Sequence, residues 1–307
     1  MPHKENSMDI KNTVKGKKVV VVGGSGFVGS FVADKLTDLG AHVSIYDKNH
    51  SRYLSKEQEM ITGDILDKDK LRKVLEGASY VYNFAGIADI DEADNNPEDA
   101  VRYNILANTS LLKLCKDSGV KRFIYASSIY VYGDRGSFYR VSKLSSELMI
   151  EVFYEKYGLN YTILRYGSLY GPRSNEKNGI YRMIYQALID KRIVYAGSGE
   201  EIREYIHVQD AAQASVKILE DEFRNNHIIL TGNQIFKAKD VLTMVQEMLK
   251  DKINVTYTKP SPIHYQVTPY SFHPRLGKKM TSAVYIDMGQ GLLEVMKEIY
   301  EKNRENR

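Results

Sequence analysis

The stretch KKVVVVGGSGFVG, residues 17–29, constrains the fold more than any other part of the chain. A β-branched apolar run ends in glycine. Apolar residues at helical spacing follow at once, through SGFVGSFVADKLTDLG to Gly40. A buried strand, a tight turn and a helix in that order require a parallel sheet covered by helices, because the chain must cross back over the sheet to add its next strand. Glycines stand at 23, 26 and 29. Gly23 permits the turn, Gly26 lets the backbone approach a pyrophosphate, and Gly29 lets the helix pack on the strand. The helix N-terminus offers unpaired N–H groups and the positive end of a dipole, a seat for phosphates. Ser25, Phe27 and Val28 complete the turn and are expected to border the same dinucleotide.

The alternation continues. AHVSIYD, EMITGDI, SYVYNFAG, KRFIYASS and LNYTILRYG read as five more strands, with helices between them around 98–118 and 139–157. The expected fold class is α/β, a doubly wound parallel sheet of the Rossmann type. After about Tyr166 the pattern changes. NGIYRMIYQALIDK, VQDAAQASVKILED, KAKDVLTMVQEMLKD and a segment near 286–302 read as helices, and REYIHV as a short strand. TYTKPSPIHYQVTPYSFHPRLGKK reads as irregular. This divides the chain into a flexible leader (1–16), a dinucleotide-binding domain (17–165 plus about 205–230) and a smaller C-terminal substrate-binding region (166–204 plus about 231–307). Loops of such a region typically carry specificity.

Composition removes several classes. The net charge of +4 is spread along the 307 residues without a dense basic run, so nucleic acid is not an expected partner. No apolar run approaches the ~20 residues of a membrane span. The single cysteine, Cys115, excludes an internal disulfide framework and fits a reducing, cytoplasmic setting, with a core thiol the preferred reading. The seven His form no metal-ligand pair, so no metal is expected.

Asp47 ends AHVSIYD, 18 positions after Gly29. A carboxylate there accepts both ribose hydroxyls and repels a 2′-phosphate, which favours NAD over NADP. Lys48 follows directly and softens that preference. Asp64 and Ile65, in TGDILD, stand where adenine can be met, although Asp64 reads equally as a helix N-cap. Phe84, Ala85 and Gly86, in NFAG, form a small-residue turn able to pass under a dinucleotide.

SSIYVYGDRGSFYRVSK spans 127–143. Of 23 tyrosines, only Tyr139 has lysine at the fourth position after it. On a helix Tyr139 and Lys143 share a face. The lysine charge, together with a positive nicotinamide, favours the phenolate. Ser128 can hydrogen-bond the same substrate hydroxyl, and the trio can then take a proton from an alcohol while hydride leaves its carbon. The plain reading, a packing tyrosine and a solvated lysine, would suffice if the glycine motif were absent.

Across most of its length the chain resembles the extended short-chain dehydrogenase/reductases, the NAD-dependent nucleotide-sugar epimerase/dehydratase group, and most of all their UDP-glucose 4-epimerase-like members. GGSGFVG, Asp47, GDI, NFAG, Asn104, SSIYVYG, YRVSK, LRYGSLYGPR and REYIHVQDAA carry the resemblance. It implies that Ser128, Tyr139 and Lys143 are catalytic, with Tyr139, Lys143, Asn104 and Tyr166 also at the cofactor. Ser168 should meet the sugar, and Arg203 and Arg275 the diphosphate, as the planar, permanent charge of arginine suits. A nucleotide-diphosphate sugar is the implied substrate and a homodimer the implied assembly, through Leu106, Leu111, Leu148 and Val152 on two helices, although these also read as core.

Family dehydratases and decarboxylases usually place acids after the catalytic hydroxyl. Here those positions are Ile129 and Tyr130, neither of which is expected to take a proton from a carbon next to a ketone. A 4-epimerase is therefore the expected activity. A ketoreductase or dehydratase is the alternative, and a non-catalytic dinucleotide-binding protein a further one. Two departures bear on the substrate: the loop Asp134–Phe138 is short, and Ser168 replaces a common asparagine.

Overall fold

A computed structural model describes residues 10–232, 235–249, 253–259 and 264–269. The first six strands are β1 (Lys18–Val22), β2 (His42–Asp47), β3 (Glu59–Thr62), β4 (Ala78–Asn83), β5 (Arg122–Ser128) and β6 (Tyr161–Tyr166). Then come β7 (Ser168–Tyr170), β8 (Arg192–Ala196), β9 (Ile202–His207), β10 (Asn226–Leu230), β11 (Ile235–Lys237) and β12 (Asn254–Thr258). The main helices are α1 (Phe27–Asp38), α2 (Lys68–Leu75), α3 (Ala107–Asp117), α4 (Ser137–Tyr157), α5 (Gly179–Tyr185), α6 (Val208–Lys217) and α7 (Ala238–Leu249).

Seven strands form a sheet in the order β10-β6-β5-β4-β1-β2-β3, every pair parallel. The apolar run of β1 explains its central place. Val19 and Val21 enter a core packed by α1 and α6. Val20 and Val22 enter the opposite core, packed by α2 and α3. Covering both faces requires an unbroken apolar strand, and each valine buried contributes about 1.5–3 kcal/mol. The chain winds outward one way through β2 and β3 and the other way from β4, so a crevice opens between the C-terminal ends of β1 and β4. There Val22 pairs with Asn83, bringing Gly23 beside Phe84.

The smaller region builds two further sheets, β11-β9-β7 and β12-β8. Met183, Ala187, Ile193, Leu242 and Ile253 form its own core. All described residues lie within one compact unit, Met1–His273. No helix among them is long and apolar enough to cross a membrane.

The structure departs from the sequence reading at several points. The sheet has a seventh strand, β10, whose five residues NHIIL pair with β6. The leader is not flexible to residue 16: residues 10–14 are helical, and Ile10 and Val14 are buried against the α1 core because they share one face of that turn. The start of TYTKPS belongs to β12 rather than to irregular chain. The helix expected around 98–118 is interrupted by a π-helical segment, Ala100–Leu106. The helix expected near 286–302, and Arg275, lie outside the described residues.

Candidate active site

At the β1 end of the crevice the glycines act through sterics. Gly23 has φ of +79°, and a Cβ on it would lie 2.5 Å from the amide nitrogen of Ala85. A Cβ on Gly29 would lie 2.4 Å from the carbonyl oxygen of Gly23, so only glycine lets α1 close on the turn. Gly26 is the N-cap of α1 and provides no side-chain acceptor, which leaves the first-turn N–H groups of Phe27, Val28 and Gly29 without a capping side chain. Asp47 lies against this turn. One carboxylate oxygen accepts from the Ser25 N–H at 3.1 Å and the other from the Asn49 N–H at 2.9 Å. Ser25 Oγ donates to the Asn49 carbonyl at 2.7 Å, closing the loop, and Lys48 is exposed beside it.

Asp64 is exposed and accepts from the Leu66 N–H at 2.8 Å. It is not the N-cap of α2; that residue is Asp67, which accepts from Lys70 N. The side chain of Ile65 is buried in the core beneath. Phe84 stacks on Tyr82, and Ala85 N donates to Asn83 Oδ1. Asn104 lies on the π-helical segment and pins the next turn: its Oδ1 accepts from Ile87 N at 2.8 Å and its Nδ2 donates to Ile87 O and to Ser142 Oγ of α4. Gly86 is required there, because a Cβ would lie 2.4 Å from Asn104 Oδ1.

Ser128 ends β5, and Tyr139 and Lys143 face it from α4, all three buried. Burial pushes the Tyr139 phenol up to about 12, and its hydrogen bond with Ser128 lowers it only part way. Burial brings Lys143 down to about 8, with Glu147 opposing. Lys143 Nζ donates to the Ala126 carbonyl at 2.9 Å and lies 5.7 Å from the centre of the Tyr139 ring. Without a bound cofactor, burial keeps the phenol protonated. A second cation is needed before it serves as base.

A cavity of about 430 Å³ opens from Ser128. Ser168 and Arg203 line it, along with Tyr130, His264 and Tyr265. Ser168 Oγ lies 3.3 Å from Tyr265 OH. Arg203 lies over the Tyr265 ring at 4.3 Å and donates to the carbonyls of Ile202 and Gln266. Lys177 and Arg182 add positive charge to the wall. Tyr166 is placed otherwise. Its side chain lies in the α1–α6 core with its hydroxyl 2.6 Å from Ser215 Oγ, so only its backbone belongs to the sheet edge.

Residues 19–232 match the model of the NAD dependent epimerase/dehydratase family. The chain belongs to that family. It is 28% identical over 288 residues to the UDP-N-acetyl-alpha-D-glucosaminuronate decarboxylase of Bacillus cytotoxicus, covering 83% of this chain and 86% of the relative. Among solved structures it resembles the UDP-N-acetylglucosamine 4-epimerase of Methanobrevibacter ruminantium in complex with UDP-N-acetylmuramic acid, at 29% identity and a TM-score of 0.77, over 84% of this chain and 90% of that one. It also resembles the UDP-glucuronic acid 4-epimerase of Bacillus cereus in complex with UDP-glucuronic acid and NAD, at 26% identity and a TM-score of 0.77, over 83% and 90%.

The protein is therefore an enzyme of the NAD-dependent epimerase/dehydratase family, with NAD as its cofactor. The crevice fits that group: a glycine cradle that any Cβ would fill, uncapped helix N–H groups for a pyrophosphate, and a carboxylate at the end of β2. NAD supplies a hydride acceptor and a positively charged ring. Ser128, at the end of β5, and Tyr139 and Lys143, on α4, are buried.

Sequence reasoning missed Glu147, four residues beyond Lys143 on the same face of α4. Its carboxylate accepts from Ser127 Oγ at 2.5 Å and from Arg165 at 3.1 and 2.6 Å. Burial raises its pKa, but the neighbouring His227 and the hydrogen bonds from Arg165 and Ser127 outweigh burial and hold it below the usual carboxylate range. The i, i+4, i+8 spacing of Tyr139, Lys143 and Glu147 was the available signal. His264, hydrogen-bonded to Tyr130 across the cavity wall at 2.9 Å, had no signal in the irregular stretch that carries it.

Proposed function

We propose that the enzyme is a nucleotide-sugar 4-epimerase. The observation that carries this reading is the cavity that joins Ser128, beside Tyr139, to Arg203 while Ile129 and Tyr130, the two residues after Ser128, provide no carboxylate. Tyr139 and Ser128 would hold the C4 oxygen of a hexose. Tyr139 would take the hydroxyl proton, and bound NAD would supply the hydride acceptor that makes C4 a carbonyl. Tyr139 would hand the proton back to oxygen as C4 is reduced from its opposite face, which would invert C4 with no net oxidation. Arg203, with Lys177 and Arg182 nearby, would hold the diphosphate, and Ser168 the sugar. The smaller region is thus the sugar-nucleotide side of the enzyme.

Asp47 supports an enzyme that keeps and recycles NAD over a reductase drawing on NADPH. The two solved structures named above carry UDP-linked sugars, so UDP-hexoses are the first substrates to offer. We further propose a homodimer through the exposed apolar face of α4.

The test is NMR of the purified protein, with no added cofactor, incubated with UDP-, GDP-, dTDP- and CDP-hexoses. A C4-inverted product supports the reading. Loss of water, loss of CO2, or turnover only when NADH or NADPH is added replaces it with a dehydratase, decarboxylase or reductase.

A further inference from the structure

Tyr130 is a partly buried tyrosine in an unusual position. It stands two residues after Ser128 on the 3-10 turn Ile129–Tyr132, whose N-cap is Ser128 itself, with Ser128 Oγ accepting from Tyr130 N. Its ring meets Tyr139 edge-on at 6.2 Å and Tyr265 at 4.6 Å. Its hydroxyl lies 2.9 Å from His264 Nδ1, and Asp91 lines the same cavity. On the sequence alone Tyr130 was not expected to take a proton. That holds for an isolated phenol. A phenol hydrogen-bonded to an imidazole is different, because its own proton can pass to nitrogen as its oxygen takes another, the relay logic of any hydroxyl–histidine pair.

We propose that Tyr130 and His264 form a second acid–base pair, which exchanges the proton on a carbon adjacent to a 4-keto group of the bound sugar. The inference rests on the proposed C4 chemistry, since oxidation at C4 makes the neighbouring C–H bonds acidic. The Tyr130 and Tyr139 rings meet edge-on with centres 6.2 Å apart, and one phenol would serve O4 and the other a neighbouring carbon. In the step, the C–H bond at C3 or C5 breaks and its electron pair forms the carbon–carbon double bond of an enolate. The carbonyl electrons move to O4, which accepts hydrogen bonds from Tyr139 and Ser128. The proton goes to the Tyr130 oxygen as the Tyr130 proton goes to His264 Nδ1. No redox change occurs, and the resulting imidazolium balances the enolate. Burial lowers the His264 pKa, while Asp91 and Asp89 act to raise it and Arg203 to lower it, so the ring is a neutral acceptor that nearby carboxylates help to charge. Reversal without loss of the proton to solvent is silent; reversal after exchange labels the sugar.

The experiment supplies the ketone ready-made. The NAD-containing protein is placed in D2O with UDP-4-keto-6-deoxyglucose, and deuterium at C3 and C5 is followed by NMR and mass spectrometry. Wash-in above the enzyme-free rate, reduced about 100-fold by Tyr130→Phe and by His264→Asn, is expected. Retained NAD and circular dichroism report that each variant folds, and because the two residues lie on separate segments, either variant alone can decide. Wild-type wash-in no faster than without enzyme, or equal wash-in by folded variants, overturns the proposal. Because no C4 oxidation is required, this result is independent of the nucleotide-sugar panel, and either reading can fail alone.

Discussion

Glu147 and Arg165 meet inside the protein through two hydrogen bonds, one from Nε at 3.1 Å and one from Nη2 at 2.6 Å. The pair ties α4, which carries Tyr139 and Lys143, to β6. Through Ser127 it also fixes β5 one residue before Ser128. Arg165 reaches on to Tyr132 OH at 2.6 Å, so the turn after Ser128 is held as well. Glu147→Gln leaves the guanidinium buried without its full counter-charge, and the expected loss is about 3–5 kcal/mol. Urea denaturation measures it. The double replacement Glu147→Leu with Arg165→Met should recover most of the loss, because both charges then leave together. A single variant as stable as the wild type would remove the pair from this structural role.

Lys143 gives stability a pH signature of definite sign. Its pKa falls from 10.5 to about 8 on folding, through burial. Between those values the unfolded chain holds the extra proton, so this group's contribution to stability rises with pH across that window, by up to about 1.4 kcal/mol per unit. Below it the contribution is a constant cost. Lys143→Met abolishes the term. Urea midpoints of both proteins from about pH 7 to pH 10 should therefore show the wild type gaining on the variant as pH rises. A difference independent of pH would mean that Lys143 keeps an ordinary pKa.

Asp47, proposed to favour NAD over NADPH, also shapes the glycine turn, since its carboxylate accepts from both Ser25 N and Asn49 N. Asp47→Ala loses two charge-assisted bonds and the repulsion of a 2′-phosphate. NADH binding to cofactor-stripped protein should weaken by about 10- to 100-fold, and the preference over NADPH should narrow, helped by the adjacent Lys48. Fluorescence titration with both nucleotides reads the ratio. An unchanged ratio would place the ribose away from Asp47.

The apolar face of α4 is open to solvent. Leu148 is 55% exposed and Val152 50%, with Leu106 54% exposed on the neighbouring π-helical segment. Leu111, expected on the same face, is instead fully buried in the core. Large apolar side chains at adjacent exposed positions are the basis of the proposed dimer. Leu148→Glu with Val152→Lys should convert a dimer to a monomer in sedimentation velocity. A monomeric wild type at micromolar concentration would dismiss the dimer.

Legibility in the sequence followed the range of the forces involved. The β1–turn–α1 unit could be read because a strand buried on both faces must be apolar throughout and because the turn excludes Cβ atoms within a few residues. Ser128, Tyr139 and Lys143 could be read because one strand end and one helix face carry them. Glu147 was not, because its partners Ser127, Arg165 and His227 come from three strands of distant sequence. His264 was not, because only tertiary packing brings it to Tyr130. The short NHIIL strand carries no turn signal strong enough to mark it, and the π-helical segment has the same residue types as an α-helix. The resemblance implied Tyr166 at the cofactor, but its side chain points to the covered face.

Tyr139→Phe separates an enzyme from a protein that only binds a dinucleotide. The side chain is buried, so removing one hydroxyl preserves the ring and its edge contact with Tyr130. The turn proposed to seat the pyrophosphate, Gly23 to Gly29 with Asp47, is remote from that hydroxyl in the chain, so bound NAD should be retained. On the proposed mechanism the variant lacks the group that takes and returns the proton on O4, and turnover should fall by about 100- to 10,000-fold. The measurement pairs cofactor content of the purified variant with NMR of its best nucleotide-sugar substrate. Retained NAD with lost turnover assigns the proton transfer to Tyr139. Undiminished turnover would assign it elsewhere in the cavity, with Tyr130 the next phenol to replace. Loss of NAD together with turnover would make Tyr139 a cofactor-seating residue first, and the ratio of the two losses measures how far.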